Sequence, residues 1–387
     1  KKIVSLFFNE FKQFDTLPKI ANYYGVPLNQ ISFDNRVQDM LLIEGNTLFI
    51  RNPQKNANKP YNPGDLSVED KKAIDSLLMG RGRHCEFGFE PVNINTGNFY
   101  FDTEDVAIPD YNGDFSINRT YNSKGAGYNS IFGRGWQFEY SESISKTAEG
   151  EYIYSRGDGS AIYFTPDGKG GYTCPEGYHF AFTPVKIGEK EADFGTGVLE
   201  KYDVYEYEIR SVNGEARRFN TFGLLSKITD DKGFVTTLGY DDNYNLKTIT
   251  SPGGTVYTLA YTVDGYVSTI TLPNGSQMKY EYDDDNNLIR FTDASGRETQ
   301  YAYNDAHQMT FWKDGAGNVV VTNTYDENGR VTKQVDANDQ AVKFEYADGK
   351  TTTTDAEGNK TVYYYDDQYR TCLLYTSPSP RDRSVSR

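Results

Sequence analysis

The sequence predicts a mainly β protein in which antiparallel repeat hairpins coil into a spiral sheet or shell, preceded by a small α+β module. Three observations predict it. The 387 residues include 32 Tyr, 23 Phe and 36 Gly but only 4 Met, a composition suited to pleated strands and tight turns rather than helices. A tyrosine, followed by Asp or a near variant, recurs at Tyr240, Tyr261, Tyr282, Tyr303, Tyr325, Tyr346 and Tyr365, with spacings of 21, 21, 21, 22, 21 and 19. Between these anchors apolar and polar residues alternate with period two: Met278, Tyr280 and Tyr282 share one face, against Lys279 and Glu281 on the other.

Charge and composition exclude several functions. Forty Lys and Arg against 55 Asp and Glu give a net charge of −15, so no basic face is available for binding nucleic acid by counterion release. No apolar run reaches the length of a membrane-spanning helix. Three Cys cannot build a disulfide framework. The three His (His84, His179, His307) are too scattered to predict a metal site. The sequence contains no phosphate-binding loop, nucleophile elbow or His-Glu-x-x-His motif, so neither a cofactor nor an enzymatic constellation is expected.

Residues 1–52 begin with a strand-like segment, Ile3 to Phe8. Asp15 or Thr16 can cap a helix with Pro18 in its first turn and Gly25 at its end. Leu17, Ile20, Ala21 and Tyr24 have the spacing of one helix face. A second short helix is expected over Leu28 to Asn35, then a turn and strand over Leu41 to Ile50. This strand–helix–helix–strand order resembles the LysM module. The resemblance implies a glycan-binding groove for N-acetylglucosamine polymers such as peptidoglycan, lined by Asp15, Thr16, Leu17, Leu42, Ile43 and Glu44. Phe14 and Glu44 depart from the family's usual Gly and Pro at those positions. Residues 53–83 read as a Pro- and Asn-rich linker followed by a short helix from Ser67 to Gly80, expected to pack on the mouth of the shell.

Residues 84–231 form a leading β-module. The segments Pro91 to Phe99, Ser116 to Ser123 and Phe132 to Trp136, in that order, resemble the opening module of RHS proteins, and Asp158 to Gly168 resembles its continuation. Within it, Arg119 and Arg134 are expected as hydrogen-bonding struts, and Trp136 as packing for a turn.

Residues 232–371 carry the repeats. Each unit reads as two short strands and two turns, with Asp binding local backbone and Gly supplying a positive φ. Gly233, Gly254, Gly275, Gly296, Gly317 and Gly358 keep that register, and Asp339 stands where one glycine is missing. Asp283-Asp284-Asp285 is read as one of these turns rather than a calcium loop. A lone hairpin is marginal in water, so its aromatic face is expected to be buried by the next unit. These units resemble the tyrosine-aspartate (YD) repeats of the RHS family. That implies a carrier shell for a C-terminal effector, with a delivery apparatus as partner and a secreted or cell-surface location. Residues 372–387 (Cys372 to Arg387) break the pattern and resemble a translated sequencing adapter. They are expected to lie outside the fold, with both ends of the native chain missing.

Overall fold

The structure is a computed structural model. It describes residues 6–10, 17–35, 47–51, 54, 76, 78–80, 91–111, 113–147, 149–193, 198–367 and 369–376. Asp15, Thr16, Leu42, Ile43, Glu44, His84 and most of the expected 67–80 helix lie outside these residues.

The first elements are β1 (Leu6–Glu10), α1 (Leu17–Tyr24), α2 (Leu28–Asn35) and β2 (Thr47–Arg51), with β1 and β2 paired antiparallel. Leu17, Ile20, Ala21 and Tyr24 share a small core with Val26, Ile31, Leu48 and Ile50. The helix stops at Gly25 (φ 62°), where Val26 N donates to the Ala21 carbonyl at 2.9 Å. A glycine here satisfies the last carbonyls without a Cβ clash.

The leading module is built from short sheets. β3 (Tyr100–Asp110) and β4 (Gly113–Asn122) pair antiparallel, β5 (Asn129–Ser130) and β6 (Gly133–Arg134) form a small hairpin, and β7 (Trp136–Phe138) joins the far side of β4. β8 (Ser143–Lys146), β9 (Tyr152–Ser155), β10 (Ala161–Pro166) and β11 (Tyr172–Thr173) make a four-stranded meander.

Eighteen strands then form one sheet in strict sequence order, from β12 (Phe180–Asp193) and β13 (Leu199–Ser211) to β29 (Thr371–Thr376). Every pair in it is antiparallel, as consecutive hairpins dictate. The sheet begins ahead of the tyrosine repeats, so the sequence boundary at 231/232 falls inside a continuous ladder. It also continues past the expected end of the fold. Residues 372–376 complete the last strand, with Leu374 opposite Tyr363 and Leu373 opposite Tyr364. An unpaired strand edge accepts any chain able to extend beside it, which the break in repeat pattern did not reveal.

The aromatic face of the repeats is covered differently from the sequence expectation. The leading module covers it, alongside ring contacts between neighbouring strands such as Tyr280 on Phe291 at 5.2 Å. Phe115 packs on Tyr257 with ring centroids 5.0 Å apart, Phe132 on Tyr280 at 4.9 Å, Trp136 on Tyr301 at 5.1 Å and Phe101 on Trp312 at 5.0 Å. Module and sheet therefore share one core. The reason is geometric: neighbouring strands in a sheet lie side by side, so they pair edges but cannot cover each other's faces.

Candidate functional site

The repeat tyrosines act as clamps. Tyr240 Oη donates to the Leu225 carbonyl at 2.6 Å, Tyr261 to Leu246 at 2.6 Å, Tyr282 to Val267 at 2.8 Å, Tyr303 to Leu288 at 2.8 Å, Tyr325 to Met309 at 2.7 Å and Tyr346 to Val331 at 2.6 Å. Each acceptor opens the strand one hairpin back. All but Tyr346 sit where the strand register shifts by one residue. Such a bulge re-aims a side chain, here onto the start of the preceding strand. Tyr365 breaks the series, its hydroxyl lying 3.5 Å from the Ala347 carbonyl. Burial pushes the phenol pKa of Tyr240 and Tyr261 upward, keeping them protonated as donors.

The turns that open on Asp, whether or not a repeat tyrosine precedes them, share one chemistry. Asp241 Oδ1 accepts the N–H groups of Asn243 and Asn245, both at 2.9 Å, and Oδ2 accepts Asn245 Nδ2 at 3.1 Å. Asp283, Asp314, Asp326 and Asp355 repeat this pattern. The fourth turn residue has positive φ: glycine in most turns, but also Tyr244 (58°), Asn286 (66°), His307 (60°) and Asp339 (60°). Asp339 thus adopts the conformation of the glycine it replaces. In the 283–287 turn the Asp283 carboxylate is occupied by local N–H groups, as the turn reading requires.

The leading module is sewn along this row of turns. Leu225 N donates to the Glu142 carbonyl at 3.3 Å, Val267 N to the Ile131 carbonyl at 2.8 Å, Met309 N to Tyr121 Oη at 2.8 Å and Val331 N to the Gly97 carbonyl at 3.0 Å. As the repeats advance, the contacts recede through the module, so the two run antiparallel. At the far end Asn95 Nδ2 donates to the Tyr369 carbonyl at 2.8 Å. Two glycines allow this closeness. A Cβ on Gly97 would lie 2.5 Å from Arg330 Cβ, and one on Gly133 would lie 2.5 Å from the Asn286 carbonyl oxygen.

Arg119, read as a strut, crosses the centre of this seam. Its side chain is fully buried and pairs with Asp105 through Nε and Nη2, at 2.5 and 2.7 Å. Tyr280 Oη from the repeat sheet donates to the same carboxylate at 2.7 Å. The guanidinium lies 4.5 Å from the Trp136 ring centroid. Burial opposes its charge, but the Asp105 carboxylate outweighs that and raises the pKa above the ordinary arginine value. Asp105 escaped sequence reasoning because it sits at a bulge of β3, between Glu104 and Val106. Strict alternation does not reveal that it turns inward. Trp136 is fully buried and donates from Nε1 to Tyr303 Oη at 2.9 Å. Arg134 meets the sheet through its backbone N, 3.1 Å from the Asn286 carbonyl.

Of the six glycan-groove residues, Leu17 alone is described, and its side chain is 1% exposed inside the small core. Among the described residues no group of three or more His, Cys, Asp or Glu is placed to hold a metal, and no helix is long and apolar enough to cross a membrane.

A family model described as a domain of unknown function (DUF6531) matches residues 89–164, and one described as RHS Repeat matches 219–256 and 282–310. No curated protein matches. Among solved structures, the Photorhabdus luminescens Tc holotoxin pore carrying a TccC3 mutation is 12% identical over 67% of this chain and 16% of that one, with a TM-score of 0.33. TcdB2-TccC3 without its hypervariable C-terminal region is 9% identical over 69% and 18%, with a TM-score of 0.29. TcdB2-TccC3 is 12% identical over 74% and 16%, also with 0.29. The chain therefore spans less than a fifth of the length of each of these solved chains. The hairpin ladder and its tyrosine clamps run through the two stretches matched as RHS Repeat, and in them the chain is similar to RHS/YD-repeat proteins.

Proposed function

We propose that this chain is a wall segment of a carrier shell for a bacterial RHS-type toxin or delivered effector, secreted or displayed at the cell surface. The observation that carries the reading is the eighteen-stranded ladder with one face sealed by the leading module. A sheet that adds one hairpin per repeat extends without limit, and its inherent twist favours curling into an enclosure. The titratable groups at the seam are consumed by ion pairs and turns, which favours a structural role. The experiment is limited proteolysis of the full-length gene product, followed by mass spectrometry. A shell predicts that the polypeptide after the repeats stays protected until the wall is denatured. Immediate digestion of that segment, together with a wall-anchor sequence in it, would replace this reading with a surface adhesin.

Residues 1–52 are read as a LysM-type module that targets the shell to N-acetylglucosamine-containing glycan. The antiparallel β1–β2 pair flanking two helices around one small core supports this. Retention on purified peptidoglycan is expected to fall to background when residues 1–52 are deleted. Unchanged retention would reject glycan targeting and leave these residues as a docking unit.

A further inference from the structure

β12 and β13 reach well past the strand that follows them. β14 (Ala216–Phe219) pairs with residues 207–210 only, whereas β12 accompanies β13 all the way back to Leu199. Residues 185–193 and 199–206 therefore form a two-stranded arm. Such a ribbon is marginal alone in water, and this one carries exposed apolar side chains: Val185, Ile187, Val198 and Leu199 are 38%, 51%, 62% and 66% exposed. Its two outer edges differ. The edge of β12 carries Pro184 and a register shift between Lys186 and Gly188, both devices that discourage strand addition. The edge of β13 over residues 199–206 has no proline, glycine or bulge, and among the described residues no strand pairs with it.

Side-chain chemistry names the partner. Strand alternation places Leu199, Lys201, Asp203 and Tyr205 on one face of β13. In that order they read apolar, basic, acidic, apolar. The Lys201 and Asp203 side chains are 71% and 41% exposed. Asp203 holds Lys186 at 2.7 Å, and Lys201 stands 3.8 Å from Glu191; exposed pairs of this kind are weak, so they do not bar either group from a second partner. A copy of the strand laid antiparallel, with Tyr202 opposite Tyr202, sets each Lys201 against the other copy's Asp203. The same register sets each Leu199 against the other copy's Tyr205. Sliding the copy by two residues, which keeps this face together, opposes Lys201 to Lys201 or Asp203 to Asp203. The charges thus select one register. We propose that this edge is a self-association surface: two copies of this chain pair residues 199–205 antiparallel across a two-fold axis, joining their arms into one four-stranded ribbon. The interface is isologous, so each contact occurs twice. It goes beyond the shell reading and does not depend on it.

The test is sedimentation velocity of the intact chain over about 1–100 µM, a range suited to an interface smaller than that of a standard stable complex. A dimer that grows with concentration is expected. Lys201→Glu and Asp203→Lys each set like charges opposite one another across the two-fold axis. Each is expected to weaken dimerisation by at least about tenfold. Mixed together, the two variants are complementary again and should form a heterodimer. Monomer across the whole range overturns the proposal, as does a dimer that survives both substitutions or a mixture that stays monomeric. Tyr202→Cys gives an answer independent of the charge swaps. Opposed residues of antiparallel strands lie about 4.5–5.5 Å apart between Cα atoms, within disulfide reach. Mild oxidation should therefore join two copies through position 202, and a peptide map without that crosslink overturns the pairing. None of these outcomes bears on the shell, which protease protection tests separately.

Discussion

Each repeat tyrosine does two jobs at one residue: its ring joins the core and its hydroxyl closes a carbonyl one hairpin back. Tyr282→Phe keeps the ring and removes the donor to Val267. It is expected to cost about 1–3 kcal/mol, the penalty of an unsatisfied buried carbonyl. Tyr365→Phe, whose hydroxyl stands 3.5 Å from its acceptor, is expected to cost less than about 0.5 kcal/mol. Urea denaturation of the two variants makes the comparison, and equal effects would show that the hydroxyls are incidental. Arg119 and Asp105 follow a different rule. Arg119→Met strands a buried carboxylate and is expected to destabilise by about 3–5 kcal/mol, whereas adding Asp105→Leu should recover much of that loss. A double-mutant cycle reads the coupling directly.

At the scale of the element, the turns and the leading module respond oppositely to pH. Burial disfavours the charge of Asp293, but hydrogen bonds from Ser295 and Arg297 outweigh it and hold the carboxyl at about 2, against an ordinary 3.8. Asp314, Asp326 and Asp355 are lowered by the same kind of bond. A carboxyl depressed in the folded state contributes stability that is present above its ordinary pKa and lost as pH falls through the folded value. The repeat sheet should therefore weaken between about pH 4 and pH 2. Glu139 behaves in reverse. Burial raises it from 4.5 to about 7 although it accepts a hydrogen bond from Asn118 N at 2.8 Å. Its contribution is complete below pH 4.5 and is lost as pH rises through 7. Glu139→Gln should flatten the decline of melting temperature between pH 5 and pH 8 and leave the acid limb untouched. An unchanged profile across that range would show that Glu139 ionises freely.

For the whole molecule the decisive contact is module against sheet. The repeats expose Tyr257, Tyr280 and Tyr301 if residues 91–166 are withheld, since Phe115, Phe132 and Trp136 cover them. Repeats produced alone from residue 213 onward are expected to bind a hydrophobic dye and aggregate, because uncovered apolar area of this extent is a known liability. Co-production with residues 91–166 should restore a soluble complex. Monomeric, dye-negative repeats would place the covering surface elsewhere.

The hairpins, their turns and the identity of the aromatic face could be read directly from the chain. The interactions that define them join residues no more than one repeat apart, so a period in sequence is a period in space. Even Asp339 could be read as a misplaced glycine, because its turn closes within five residues. The seam was not legible. Tyr121 meets Met309 from 188 positions away, and Asn95 meets Tyr369 from 274. No period links such partners, and the bulge that turns Asp105 inward leaves no mark in the alternation of β3. Local pattern settles how each hairpin closes; which surface covers its rings is decided only when distant segments compete to bury them.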